Sequence, residues 1–105
     1  MRVVITEFAK QQIHKTARNI QIMFGKTYRD SFLQSVKEAR LLLAANPSLG
    51  FVETLLSDSP RGYRSLVVNK LNKMVYYVGN DTVIYIVDFW DIRREPGALA
   101  SQVEE

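Results

Sequence analysis

The 105-residue chain contains no cysteine and a single histidine, His14. The lack of cysteine excludes a disulfide framework and a metal site built from thiolates. One histidine leaves no histidine cluster for zinc, so the sequence argues against a metal enzyme and we expect no cofactor. His14 lies beside Lys15 on a predicted helix, off its apolar stripe, where a histidine is usually an ordinary surface side chain.

Long hydrophobic runs are also missing. No apolar stretch approaches the roughly 18 residues that a membrane-spanning helix needs. The segment 2–5 is too short for the apolar core of a signal peptide, and Glu7 and Lys10 follow it closely. We therefore expect no membrane segment and a location in the cytoplasm.

The composition is that of a folded domain with a small positive charge. Hydrophobic residues make up 47% and charged residues 24% of the chain, and the length predicts one domain over residues 1–105. The net charge is +3. A basic domain of this kind suits an anionic partner such as nucleic acid or an acidic protein segment, without selecting between them.

The first 25 residues predict an edge strand and a helix. Residues 1–5 form a β-branched run, and Thr6 stands where a helix N-cap is expected, with Glu7 in the first turn. Gly25 is placed to close the helix. The predicted apolar stripe of this helix consists of Ala9, Ile13, Ala17, Ile20 and Phe24.

A second helix is predicted almost immediately afterwards. Residues 27–30 have the form of a capping box, from Thr27 to Asp30, and Pro47 disfavours helix at the residue before it. A connection of one or two residues makes the two helices an antiparallel hairpin packed on a sheet. The stripe of the second helix is Phe32, Val36, Ala39 and Leu43, and we expect Phe32, Val36, Ile20 and Phe24 to be buried.

The rest of the chain predicts three strands. Residues 48–62 are predicted to form a partly packed loop that can include one short strand or turn. Residues 63–68, 73–78 and 82–89 or 82–90 are rich in β-forming residues. The third strand is apolar at nearly every position, which predicts that it is the central strand. Residues 96–105 form a predicted loose C-terminal tail. The predicted fold is α+β, in the order β-α-α-β-β-β.

The strands also carry the most conspicuous candidate site. Adjacent antiparallel strands predict that four cations meet on the open side of the sheet, around the rings of Tyr63, Tyr77 and Trp90. The alternative is that basic residues at strand ends are ordinary solvated charges. The four cations are Arg64, Lys73, Arg93 and Arg94.

This order of elements, with particular residues, resembles the RelE/ParE superfamily of toxins from type II toxin–antitoxin modules, also called plasmid stabilisation proteins. The residues that carry the resemblance are FLQSVKEARLLLAANPSLG at 32–50, YRSLVV at 63–68, KMVYYVGNDTVIYIVDF at 73–89 and WDIRREP at 90–96. The resemblance implies a helical hairpin on one face of a small twisted antiparallel sheet, with the first strand beside the C-terminal ones. It also implies an antitoxin partner that wraps the toxin.

The target implied by the resemblance differs between branches of the superfamily. RelE-like members cleave mRNA in the ribosome, whereas ParE-like members bind DNA gyrase and have no nuclease activity. Matching by position makes Arg64, Lys73 and Arg93 the catalytic candidates if the protein is RelE-like. Binding of the target or antitoxin is assigned to Arg64, Lys73, Trp90, Arg93 and Arg94.

The nuclease reading lacks an acid–base residue. A metal-free ribonuclease must activate a 2′-hydroxyl and protonate a 5′-oxygen, and RelE-like toxins commonly use a Tyr or His near the C-terminus. Residues 98–105 contain neither. Lys73 stands where RelE-like toxins often have an arginine, and its ammonium cannot make the bidentate contact with a phosphate that a guanidinium makes. Asp88 and Asp91 are carboxylates that would repel a phosphate. A sheet tyrosine is the remaining substitute, although such residues more often pack at the rim; the candidates are Tyr76, Tyr77 and Tyr85.

We therefore expect a ParE-like toxin that acts by protein binding and is not an enzyme. The alternatives are a RelE-like, metal-independent endoribonuclease acting on ribosome-bound mRNA, and a non-toxic nucleic-acid-binding domain that uses Tyr and Arg for stacking. None of these three functions requires a small-molecule cofactor.

Overall fold

A computed structural model describes residues 1–92 of the chain. The predicted tail and two candidate cations, Arg93 and Arg94, lie outside the described residues. The predicted α+β class is confirmed, with one added short strand and one 3₁₀ turn where the loop 48–62 was expected. The elements are β1 Val3–Ile5, α1 Glu7–Phe24, α2 Lys26–Ala45, β2 Phe51–Val52, a 3₁₀ helix Thr54–Leu56, β3 Arg64–Val67, β4 Asn72–Val78 and β5 Ile84–Asp91.

A single residue, Gly25, connects the two helices of the hairpin. Thr6 caps α1 as predicted, because its Oγ1 accepts a hydrogen bond from the Ala9 amide at 3.2 Å. Gly25 lies between the helices at φ +96°, a conformation that glycine adopts without a Cβ penalty. The predicted capping box is wrong: α2 begins at Lys26 with no side-chain cap, so Thr27 is already helical. The Gly25 carbonyl accepts from the Arg29 amide at 3.2 Å, which is the first i→i−4 hydrogen bond of α2.

The strands form one mixed sheet in the order β1-β5-β4-β3-β2. β1 pairs parallel with β5 and the remaining neighbours are antiparallel, so the expectation of a purely antiparallel sheet is wrong in this one pairing. From β2 to β5 each strand runs antiparallel to the one before it, and β5 runs in the same direction as β1. β5 is an interior strand, as its apolar sequence indicates, but the middle strand is β4.

The main core lies between the helices and one face of the sheet. Phe32 and Val36 are buried as predicted, at 5% and 7% exposure, and Ile20 packs partly buried against the same core. Phe24 is 61% exposed, which contradicts its predicted burial. It is the last residue of α1, and there its ring contacts Tyr28 across the hairpin turn with 5.9 Å between centroids.

Two general properties of the described residues bear on function. Neither α1 nor α2 has the length and apolar content to cross a membrane, and the same holds for every helix within residues 1–92. Within that range no three side chains of the His, Cys, Asp and Glu types are grouped so as to hold a metal ion.

Candidate binding surface on the open sheet face

The face of the sheet away from the helices carries a second, smaller core. Directly opposed residues on antiparallel strands share a face, and β4 and β5 oppose Lys73 to Trp90 and Tyr77 to Tyr85 on this side. Leu56 of the 3₁₀ helix packs over the Trp90 end of these strands. The 3₁₀ segment therefore covers one half of the open face, and the half with Tyr77 and Tyr85 stays accessible. The buried members of this second core are Leu56, Tyr63, Val75 and Trp90.

Lys73 lies on the covered half and is not a free cation. Its Nζ is 2.5 Å from Oε2 of Glu53, and the two side chains are only 12% and 2% exposed. The same carboxylate accepts hydrogen bonds from the Ser65 hydroxyl and, at 3.3 Å, from the Leu55 amide. The expected role of Lys73 at an open basic site is therefore replaced, in this structure, by a buried ion pair that fastens the segment after β2 to the sheet.

The Glu53 carboxylate is held ionised by these partners. Burial raises the pKa of Glu53, but the hydrogen bonds from Lys73, Ser65 and Leu55, with the positive charge of Lys73, outweigh burial and lower it below the ordinary value of 4.5. A depressed pKa means that the carboxylate stabilises the folded state above its unfolded pKa. That stabilisation is lost as the pH falls through the folded pKa.

We predict that this linkage appears as an acid-sensitive contribution to stability. The wild-type free energy of unfolding should fall more steeply than that of Glu53→Gln as the pH is lowered from about 6 to about 3, because the variant has no carboxylate to protonate there. Urea unfolding at several pH values in this range measures both slopes. Equal slopes would contradict a depressed pKa at Glu53.

Arg64 lies on the opposite face from Lys73. It opposes Tyr76, which belongs to the main core, so its side chain points to the helix side. Its Nη2 donates hydrogen bonds to the carbonyls of Gly50 and, at 3.2 Å, Ser48. The prediction that Arg64 and Lys73 meet on one open face is wrong, because side chains alternate along a strand and Tyr63, the residue before Arg64, occupies the open side.

Tyr76 acts with Arg64 to hold the connection between α2 and β2. Its hydroxyl donates to the Pro47 carbonyl at 2.9 Å and accepts from the Gly50 amide at 3.0 Å. Gly50 is closely approached here: an added Cβ would lie 2.4 Å from the Ser65 carbonyl oxygen. Tyr76 is fully buried, so it is a packing residue with a hydrogen-bonded hydroxyl.

The three predicted rings do lie on the open face, but two of them are core residues. Tyr63 and Trp90 are 2% and 1% exposed, and the Tyr63 ring meets that of Tyr77 edge to face with 5.6 Å between centroids. Asp88 is also fully buried on this side, and its Oδ1 accepts from the Phe89 amide at 2.7 Å. Whether Trp90 takes part in binding stays a prediction, as does the same assignment for Arg64, Lys73, Arg93 and Arg94.

The accessible half of the open face forms a cleft of about 550 Å³. We call it the tyrosine–arginine cleft, defined by Arg61, Tyr77, Asp81 and Tyr85. The rings of Tyr77 and Tyr85 are stacked with 5.3 Å between centroids and 23° between planes, and the Arg61 Cζ atom lies 5.2 Å from the centre of the Tyr77 ring. The other lining residues are Pro60, Val78, Gly79 and Asn80.

Asp81 fixes the orientation of Tyr85 in this cleft. The Tyr85 hydroxyl donates to Oδ2 of Asp81 at 2.5 Å, and Oδ1 accepts from the Val83 amide at 3.2 Å. The hydrogen bond from Tyr85 lowers the pKa of Asp81 and raises the pKa of Tyr85. At neutral pH the cleft therefore holds a carboxylate and a neutral phenol, next to the guanidinium of Arg61.

Sequence reasoning missed Arg61. It lies in the loop before β3, between Pro60 and Gly62, and no periodicity links a loop residue to a strand position. Only the folded loop places it over the Tyr77 ring.

No protein-family model matches this sequence, and no curated protein matches it closely enough to count as a relative. Among solved structures, the fold is similar to a chain of the structure described as "Chromosomal ParDE TA system from P. aeruginosa", with a TM-score of 0.71. That similarity covers 89% of this chain and 97% of the other at 18% sequence identity. The fold implied by the RelE/ParE resemblance is thereby confirmed.

Proposed function

We propose that this protein is the toxin of a type II toxin–antitoxin module and acts, as ParE-like toxins do, by binding a protein target. The observation that carries the proposal is the similarity of fold, over nearly the whole of both chains, to a chain of a ParDE system. The proposed target is DNA gyrase, the proposed location is the cytoplasm, and the proposed partner is a cognate antitoxin that neutralises the toxin.

The geometry of the cations supports protein binding over RNA cleavage. Of the three positions that match RelE-like basic residues, Lys73 is paired with buried Glu53 and Arg64 donates to loop carbonyls. Because these two cations are already bound to groups of the protein, they do not contact a phosphate in the transition state of RNA cleavage. The third, Arg93, lies outside the described residues and remains a candidate.

Three of the possible proton-transfer groups are equally poorly placed, and only Tyr77 and Tyr85 among the candidate tyrosines lie at an accessible cleft. Tyr76 and Asp88 are fully buried. His14 is exposed on α1, in the helical layer that packs on the other face of the sheet. Since a placed acid or base is typically worth about 10²- to 10⁴-fold in rate, these positions support slow cleavage at most.

One observation favours a second candidate function, the binding of nucleic acid. The stacked Tyr77 and Tyr85 rings with Arg61 beside them are the side-chain types on which single-stranded bases stack. A RelE-like nuclease and a non-toxic nucleic-acid-binding domain both use this chemistry. The same induction experiment separates all three functions.

We predict growth arrest when the chain is expressed alone, with relief when it is coexpressed with its antitoxin. In extracts, gyrase supercoiling should fall, while ribosome-bound mRNA should stay uncut. Codon-specific cleavage of mRNA on induction would move the protein to the RelE-like branch. Growth that is unaffected by the folded protein would contradict a toxin of either branch.

The variants for this test follow from the structure. Lys73→Ala is a poor probe of chemistry because it breaks a buried ion pair, so loss of activity in it would report unfolding. Charge reversal of Arg93 or Arg94 is the better probe of antitoxin binding, and we expect it to weaken the complex. Arg40, exposed on α2, supplies a matched charge change away from the open face.

A further inference from the structure

The tyrosine–arginine cleft contains a cation, Arg61, that no carboxylate of residues 1–92 neutralises. Among residues 1–92 the ion pairs are Arg29 with Asp30 and Lys73 with Glu53, and Arg61 has no carboxylate within ion-pair distance. Its backbone amide donates to the Ser59 hydroxyl, while its guanidinium lies over the Tyr77 ring. This cation–π contact uses none of the N–H groups of the guanidinium, which can therefore donate a bidentate hydrogen bond to an oxyanion.

The charges around Arg61 limit which anion fits. Lys73 on the same face is neutralised by Glu53, and Asp81 adds a carboxylate at the cleft. A polyanionic strand needs several unpaired cations along its path. The lining of the cleft instead offers one guanidinium and one ionised carboxylate, that of Asp81, and the charge of Arg2 acts on Asp81 and Tyr85. This arrangement matches an isolated carboxylate better than a row of phosphates.

The apolar part of the cleft also matches a peptide. The rings of Tyr77 and Tyr85 are held in place, because Tyr85 is bound by Asp81 and Tyr77 is packed against Tyr63. Contact with them therefore costs little side-chain entropy. Tyrosine and arginine together are the side chains that most often dominate protein–protein contacts. An acidic residue next to an aromatic or aliphatic one would use both parts of the cleft.

We propose that the tyrosine–arginine cleft binds an acidic peptide segment of a protein partner. Arg61 receives a carboxylate of the segment, and an adjacent apolar side chain lies on the Tyr77 and Tyr85 rings. The inference deepens the proposed function, since it locates a partner site on the toxin, but the cleft's chemistry is tested separately from toxicity.

The probes are two terminally blocked peptides, one with two glutamates flanking a phenylalanine and one with glutamines in their place. Each is titrated into isotopically labelled full-length protein, and the signals of the Arg61 side chain and the Tyr77 and Tyr85 rings are followed by NMR. We expect the glutamate peptide to shift these signals and the glutamine peptide to bind about tenfold more weakly or worse, the loss of a charge-assisted contact. Arg61→Gln should remove the difference between peptides, and Arg61→Lys should keep only part of it.

Arg40→Gln is the control, because it removes one exposed arginine from the helical layer and should leave the titration unchanged. A hexauridylate titration provides the competing arm. Stronger perturbation of the same signals by the oligonucleotide than by the glutamate peptide would overturn the proposal in favour of nucleic acid. Equal binding of both peptides, or no shift with either, would overturn it as well.

The two proposals fail separately. Growth arrest without peptide binding would leave the toxin assignment standing and remove the cleft as a partner site. Peptide binding at Arg61 in a protein that does not arrest growth would do the reverse.

Discussion

Replacing Lys73 by Met should destabilise the protein by about 3–5 kcal/mol at neutral pH, because it leaves the buried carboxylate of Glu53 without its cation. Glu53 is 2% exposed, and burial is the largest single influence on its pKa. In the wild type the hydrogen bond and charge of Lys73 oppose that effect. Without them, burial should raise the pKa of Glu53, so the stability of the variant should improve on mild acidification, opposite to the wild type.

The matched control removes both charges. The double variant Lys73→Met with Glu53→Gln keeps a carbonyl oxygen able to accept from either Ser65 or the Leu55 amide, and it leaves no buried charge at this pair. We expect it to recover most of the loss, ending within about 2 kcal/mol of the wild type, since buried ion pairs are often replaceable by neutral groups of similar volume. Chemical denaturation of the wild type, the single variants and the double variant gives the coupling energy of the pair. A loss below about 1 kcal/mol for Lys73→Met would mean that Glu53 is solvated.

Phe32→Ala should cost about 3–5 kcal/mol, from lost burial and the cavity left behind. Phe32 is 5% exposed at the centre of the helix–sheet core, and its ring meets that of Phe89 on β5 edge to face, 5.6 Å apart at an angle of 79°. The substitution thus removes a contact between the helical hairpin and the sheet. For a domain of about 100 residues, each kcal/mol lowers the melting temperature by roughly 4–8 °C.

Leu42→Ala on the same helix is the control for Phe32→Ala. Leu42 is 57% exposed, so its truncation should cost less than about 1 kcal/mol. Calorimetry or circular dichroism melts of the two variants compare the buried and exposed sides of α2 directly. Similar losses in both would contradict the orientation of α2 on the sheet.

The helical hairpin was largely readable from the sequence, because its signals are local. Apolar residues recur at helical spacing, Thr6 has the chemistry of an N-cap, and Gly25 and Pro47 limit the helices. The errors fell at the ends. Phe24 follows the stripe but is exposed at the last position of α1, so periodicity alone gives it the wrong burial. Thr27 has the form of a cap but lies inside α2, which begins at Lys26.

The tertiary structure decided which strand residues form the site. Side chains alternate between the two faces of a strand, so Arg64 faces the helices while its neighbour Tyr63 faces the open side, and the pairing of β3 with β4 decides which of the two lies on which face. Lys73 pairs with Glu53, which is 20 positions earlier in the chain. Arg61, in a loop, contacts the Tyr77 ring on β4. The sequence by itself determined the class of fold and which tyrosines and cations the strands carry. Which cations are neutralised within the fold and which one faces a cleft depends on long-range pairing, which has no local signal in the chain.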